Sequence, residues 1–300
     1  MIDLHMHTTY SDGTDTVKEL LKKVEDIGLE VISITDHDTC NAYFEMEKFN
    51  VKEIYKGDII VGCKFSASFD NRAIEIIGYG FDYKVVNKYL EKFYDETLIE
   101  KRIEILFNRL FAKINELGLE FHIPRENIPI NKYYEIAIYN ELKKYPDNMK
   151  KVKEKVWDSF SDFLRKGLNN RDSLLFINKT EFYLSSEKVV NLIHENGGIA
   201  FLAHPYQYKF TDTEEFLDKI YNEDALDGIE CFYTTFSEEQ TNYLLAFAKK
   251  RNLLISGGSD YHGTLKQNHY LGVGRGNLKI SKDIIDKYKI GRYTSSFFIH

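Results

Sequence analysis

His5 and His7 flank Met6 directly after the apolar-flanked start of the chain, residues 2–4. On a strand, the side-chain period of two turns both imidazoles to one face, which is how a strand end offers two ligands to one divalent cation. Asp12 follows in Tyr-Ser-Asp-Gly, a turn sequence able to swing a carboxylate back over that strand end. His37 stands in Thr-Asp-His-Asp, His204 in Ala-His-Pro, and Asp260 and His262 in Gly-Gly-Ser-Asp-Tyr-His-Gly. A single histidine after a strand is more often a hydrogen-bonded structural residue than a ligand, and one His-x-His pair says little more. Five histidines and two aspartates at four strand ends point instead to a metal centre, because independent structural accidents would not select one rim. Imidazole and carboxylate donors suit manganese, iron or zinc without choosing among them. His122, His194, His269 and His300 lack this setting and read as ordinary surface or core residues.

The elements that must carry these residues are legible as short apolar runs. Residues 31–35, 59–65, 74–79, 199–203, 228–232 and 253–256 read as strands, several of them continuous rather than alternating, which suits parallel strands buried on both faces. Val17, Leu20, Leu21, Val24 and Ile27 recur at helical spacing before the first of these runs, and Gly28 stops that helix. Helical patterns at 186–195, 213–222 and 238–251 separate the later strands, so the outer thirds alternate β and α. The candidate ligands then fall at or just beyond strand C-terminal ends, the rim where sites assemble in barrels and parallel sheets. From about 96 to 179 the strand signal fades. Leu98, Ile99, Ile103, Leu106, Leu110, Ile114 and Leu117 mark a long helix, the stretch 122–129 reads as a turn, and more helical sequence follows Tyr133. A helical insertion in a barrel-like α/β domain is expected.

Other chemistries leave no trace. The sequence has no Gly-x-Ser-x-Gly elbow, Walker loop, dinucleotide fingerprint or His-Glu-x-x-His helix. Cys63 beside Lys64 suggests a reactive thiolate only until its apolar flanks are considered, and inert packing is the simpler reading. Three scattered cysteines encode neither a disulfide framework nor a zinc knuckle. The 300 residues carry 43% hydrophobic and 29% charged side chains, which excludes disordered, collagenous and membrane classes. With no signal-peptide pattern, a cytoplasmic protein is expected. The formal charge of −7 excludes bulk electrostatic binding to nucleic acid, so any nucleic-acid substrate would be gripped locally.

The strings DLHMHTTYSDGT, ISITDHDT, IIGYGFD, GGIAFLAHP and SGGSDYHG, in this order, resemble the PHP (polymerase and histidinol phosphatase) domain family. Within it they are most similar to the stand-alone metal-dependent phosphoesterases that act on nucleotides or RNA ends. The resemblance implies a distorted (β/α)7 barrel over residues 1–95 and 180–300 with a helical insertion over 96–179. It also implies two or three divalent ions. By the same resemblance His5, His7 and Asp260 would serve one metal, Asp12, His37 and His262 a second, and His204 a third. Asp36, Asp38 and Glu230 are candidates to hold the imidazole N–H groups.

Two positions depart from the family pattern. Where relatives place a bridging glutamate in Gly-x-Glu-x-Ser, this chain reads Gly62-Cys63-Lys64-Phe65-Ser66, and where they place histidine before Gly78-Tyr79-Gly80 it has Glu75. An ammonium cannot bind a divalent cation, so Lys64 and Glu75 are expected to form an ion pair where the third metal would lie. A carbamylated lysine restoring the bridge is the alternative, and a solvent-facing charge on an edge strand is the plainer one. The insertion also lacks the arginine and histidine that relatives carry near the substrate phosphate; the nearest text is 133–137, with Arg102 and Arg109 as replacement cations. The expected activity is hydrolysis of a small phosphorylated compound or nucleic-acid end by a metal-bound hydroxide. Two alternatives stand beside it: a catalytically impaired nucleotide- or phosphate-binding regulator, for which Lys64 is the evidence, and a histidinol-phosphate phosphatase.

Overall fold

The computed structural model describes residues 1–128, 134–153 and 155–288. Pro129, Tyr133 and His300, which figured in the reading above, lie outside them. The chain forms a mixed α/β fold with two sheets. β1 (Ile2–Met6), β2 (Val31–Ile34) and β3 (Asp58–Ile59) make a parallel three-stranded sheet. β4 (Gly62–Phe69), β5 (Arg72–Tyr79), β6 (Leu184–Ser185), β7 (Ile199–Leu202), β8 (Gly228–Tyr233) and β9 (Leu254–Gly258) make a second sheet in the order β6-β4-β5-β7-β8-β9. The sheets meet at two seams, each an isolated parallel bridge: Met6 to Tyr261 and His37 to Lys64. The described ladders do not join into one closed ring.

The strand directions correct one expectation. β5 runs antiparallel to both β4 and β7, although its apolar run had suggested parallel burial. The reason is a two-residue turn at Asp70-Asn71, both at positive φ (49° and 57°), the pattern of a tight hairpin. A single strand expected over 59–65 is two, because β3 ends at Ile59 and β4 starts at Gly62 in the other sheet.

Helix 17–27 opens on a capping box, Thr16 and Glu19 each bonding the other's backbone N–H, and ends at Gly28 in the left-handed conformation. It buries Val17, Leu20, Leu21 and Val24 against the three-stranded sheet's core, while Ile27 is exposed at its last turn. The helices Ser186–Glu195 and Glu238–Arg251 match the sequence reading, and Thr213–Glu223 is one residue longer. Between the two sheets Ile2, Leu4, Ile77, Tyr79, Phe201 and Ala203 pack with Leu278, Ile280 and Tyr288 from the end of the described chain. Segment 96–179 contributes the helix Glu96–Glu116, several short helices and a separate buried cluster including Phe107, Leu110, Ile138, Trp157 and Phe163. Among the described residues no helix is long and apolar enough to cross a membrane.

Candidate metal centre

The residues singled out in the sequence come together at one rim. His5 is on β1 and His7 one residue past it; His37 follows β2, His204 follows β7, and Asp260 and His262 follow β9. The register of β1 against β2 shifts between Asp3 and Met6, so the histidines lie on a bulged rather than regular strand end. Asp38, His204 and Asp260 all take positive φ (52°, 23° and 53°), left-handed backbone that turns these side chains sharply off their strands.

One donor atom from each of His7, Asp12, His37 and His262 lies within 4.8 Å of the others, and the same holds for His5, His7 and Asp260. His7 belongs to both groups, facing Asp12 with Nδ1 (3.3 Å) and Asp260 with Nε2 (3.2 Å). In the first group His262 Nε2 is 3.2 Å and His37 Nε2 3.7 Å from Asp12 Oδ2. In the second, His5 Nε2 is 3.0 Å from Asp260 Oδ1. The Nε2 atoms of His5, His7 and His262 are buried without a hydrogen-bond partner. Buried polar atoms are rarely left so, and lone pairs converging on carboxylates are what a divalent cation requires. Burial, reinforced by the Lys64 charge, holds His7 well below the usual imidazole range and His37 down to about 3, keeping both rings neutral as ligands must be. At His5, burial works the same way but the charges of Glu230 and Asp260 outweigh it and lift the group to about 9.

Three residues named from the sequence as imidazole holders divide by role. Glu230 does hold one, its Oε1 lying 2.8 Å from His5 Nδ1, while its Oε2 accepts the His204 backbone N–H at 2.7 Å. Asp36 instead accepts from Thr8 N (2.7 Å), Thr8 Oγ1 (2.6 Å) and Ser11 Oγ (2.5 Å), fixing the loop that carries Asp12. Asp38 accepts from Ser66 N at 2.8 Å, and its burial pushes it up to about 6. His262 is oriented by the Asp260 carbonyl, 2.8 Å from its Nδ1.

Lys64 and Glu75 do not form the expected pair. Lys64 lies opposite Ile77 and Glu75 opposite Ser66, so the two are diagonal neighbours on one face of the hairpin. The Lys64 ammonium reaches across the seam to Asp260 Oδ1 at 3.2 Å, with its side chain 2% exposed. Glu75 turns to His204 Nε2 (2.9 Å) and His37 Nδ1 (3.6 Å). His204 therefore stands with Glu75, outside both donor groups. Arg102 and Arg109 supply nothing here: Arg102 bonds the Phe93 carbonyl and Arg109 the Asn178 carbonyl and Glu181. Cys63 is fully buried and its thiol is pushed well up by burial, as inert packing requires.

Two residues that the sequence reading missed, Lys266 and Tyr233, complete the surroundings of Asp260, and His269, read there as an ordinary residue, bonds the backbone beside it. Lys266 donates to its Oδ2, Tyr233 donates to the same oxygen at 2.6 Å, and His269 Nδ1 lies 3.0 Å from the neighbouring Ser259 carbonyl. Lys266 and His269 sit in a segment without strand or helix pattern, where spacing carries no signal.

The chain matches the PHP domain over residues 3–288 and belongs to that family. It is 26% identical over 280 residues to the phosphoribosyl 1,2-cyclic phosphate 1,2-diphosphodiesterase of Eggerthella lenta, covering 90% of this chain and 97% of that one. It is 28% identical over 267 residues to a 5'-3' exoribonuclease of Haemophilus influenzae, covering 87% and 89%. The fold is similar to a crystal structure from Bifidobacterium adolescentis classed as a metal-dependent phosphoesterase, with a TM-score of 0.62, 22% identity and coverage of 95% and 94%.

Proposed function

We propose that this protein is a metal-dependent phosphoesterase that hydrolyses a small phosphorylated compound or an exposed nucleic-acid end. The observation that carries this is the pair of donor groups sharing His7, with three buried Nε2 atoms unpartnered and aimed at carboxylates. Family membership and the two full-length relatives, one named for a cyclic phosphate and one for RNA, support the substrate class. We take the two abutting sheets as a distorted (β/α)7 barrel with residues 96–179 inserted in it.

Asp12, His37 and His262 would hold one divalent cation, and His5, His7 and Asp260 a second, weaker one, because the Lys64 ammonium lies on the same Asp260 oxygen. Bound there, such cations draw phosphate oxygens to them, acidify a water and neutralise the charge on the leaving oxygen. The protein's own part is orientation. Glu230 turns His5 so that its Nε2 faces the rim, the Asp260 carbonyl does the same for His262, and Asp36 pins the Thr8–Ser11 loop that presents Asp12. Lys64 and Lys266 flank Asp260 and hold it well below the usual carboxylate range against the effect of burial, so it stays anionic.

Hydrolysis of p-nitrophenyl phosphate, nucleotides and histidinol phosphate with added manganese tests the reading. The wild type is expected to turn over, and Asp260→Asn to lose at least the roughly 100-fold that removing even an outer partner of a metal site can cost. Near-normal hydrolysis by Asp260→Asn would reject the site, and binding without turnover by the wild type would favour the phosphate-binding regulator.

A further inference from the structure

Two ammonium groups reach Asp260, and their surroundings differ. Lys64 rises from β4, bonds Oδ1 and has a side chain only 2% exposed, so it balances the carboxylate from inside with no open side on which to meet a ligand. Lys266 bonds Oδ2 and its side chain is 30% exposed, so it touches the site and solvent at once. It turns inward from a segment in which Thr264, Leu265, Gln267 and Asn268 are all exposed.

That segment is tied at both ends. Gly263 and Asn268 take positive φ (67° and 63°), left-handed backbone that lets the chain double back toward Asp260. The Thr264 backbone N–H donates to Thr14 Oγ1 at 3.0 Å, and His269 Nδ1 lies 3.0 Å from the Ser259 carbonyl. The ammonium so presented stands near both donor groups, since Asp12 attracts it as well as Asp260. Among the described residues its hydrogen-bond partner is Asp260 Oδ2. A lysine ammonium has three N–H donors, so one bond there leaves the others for a ligand on the open side. Asp260 Oδ2 does not depend on Lys266 alone, because the Tyr233 hydroxyl donates to the same oxygen at 2.6 Å. The carboxylate therefore stays held while Lys266 shares its charge with a second anion.

We propose that Lys266 is a substrate-binding residue, whose remaining N–H groups hold a non-bridging oxygen of the phosphoryl group lying at the donor groups. The two lysines then divide the work: Lys64 neutralises Asp260 from the core, and Lys266 receives the ligand through a charge-assisted hydrogen bond. This rests on the phosphoesterase reading for the reaction, but the binding of phosphate is measurable without turnover.

Inorganic phosphate is the probe, titrated calorimetrically into the full-length, manganese-loaded protein and into Lys266→Gln, the charge-keeping Lys266→Arg and Tyr233→Phe, with manganese content and melting point measured on each. Phosphate affinity is expected to fall about tenfold or more in Lys266→Gln and about threefold or less in Lys266→Arg, at equal manganese content. Tyr233→Phe separates binding from positioning, because it removes the other donor to the same oxygen without removing charge. A loss of about threefold or less is expected there, whereas a lysine that merely steadied Asp260 would be matched by the phenol. No binding to the wild type, or equal affinity in the wild type and Lys266→Gln, overturns the proposal. So does a loss in Lys266→Gln that comes with loss of manganese or is equalled by Tyr233→Phe. Hydrolysis of p-nitrophenyl phosphate by the wild type, measured in parallel, reports separately on the phosphoesterase reading, which fails alone if phosphate binds through Lys266 without turnover.

Discussion

Asp260 is approached by three imidazoles, two ammonium groups and a phenol, all within hydrogen-bonding or ion-pairing distance of one buried carboxylate. A buried anion so surrounded is stable only because the cations stay in place, and removal of one leaves the rest unbalanced. Lys64 is the member that a divalent ion would have to displace or share with, since both would use Oδ1. Protein purified without chelator is therefore expected to retain one tightly held ion per chain, at the Asp12 group. Lys64→Glu, which exchanges the ammonium for a ligand, is expected to raise the count to two or more. Elemental analysis of both proteins decides it, and three ions in the wild type would show that the ammonium displaces nothing. The candidate donors themselves were readable from the sequence, because His-x-His and Asp-x-His after apolar runs are local patterns. The partner of Lys64 was not, since Lys64 and Asp260 are brought together only by the abutting sheets.

At the scale of elements, the site depends on how closely β1 and β9 approach. The backbone of Asp260 donates to the His5 carbonyl at 2.8 Å and that of His7 to the Tyr261 carbonyl at 2.9 Å, so these four residues are stitched into one rim. Gly258 allows this: a Cβ there would lie 2.5 Å from His5 N and His5 Cβ and 2.6 Å from Asp3 Oδ1. Backbone cannot yield as a side-chain tip can, so Gly258→Ala must push the strands apart, at the cost of roughly 1–3 kcal/mol or more that overpacking carries. A lower melting point together with loss of bound metal is expected, and an unchanged metal content would mean that the seam does not set the site. The strands and helices were mostly legible from apolar runs and periodicity, as the helix Glu238–Arg251 illustrates. The direction of β5 was not, since the same buried run serves parallel and antiparallel neighbours, and only the Asp70-Asn71 turn distinguishes them.

For the whole molecule, the end of the described chain closes the space between the sheets on the side of the apolar cluster. Tyr288 is 5% exposed, packs against Tyr79 and Phe201 with ring centroids 6.3 and 5.4 Å away, and donates to the Ile255 carbonyl at 3.0 Å. Truncating such an aromatic to alanine costs about 3–5 kcal/mol, by analogy with buried phenylalanine. Tyr288→Ala is expected to lower stability by that order in urea unfolding while leaving the ligand residues unchanged. A loss under about 1 kcal/mol would show that the tail is a passenger. The net charge of −7 takes on meaning at this scale too. Positive charge is placed locally, in Lys64 and Lys266 at Asp260.

The sequence alone determined the types of the candidate donors, the alternation of strands and helices that carries them, and the family, because each is written in residues near one another in the chain. Only the tertiary structure decided that Lys64 pairs with Asp260 and not Glu75, that Asp36 and Asp38 brace loops and not imidazoles, and that Lys266 and Tyr233 belong to the site. Those contacts join residues far apart along the chain, and charge and hydrogen bonding select among such partners only after the folded sheets have set which of them are within reach.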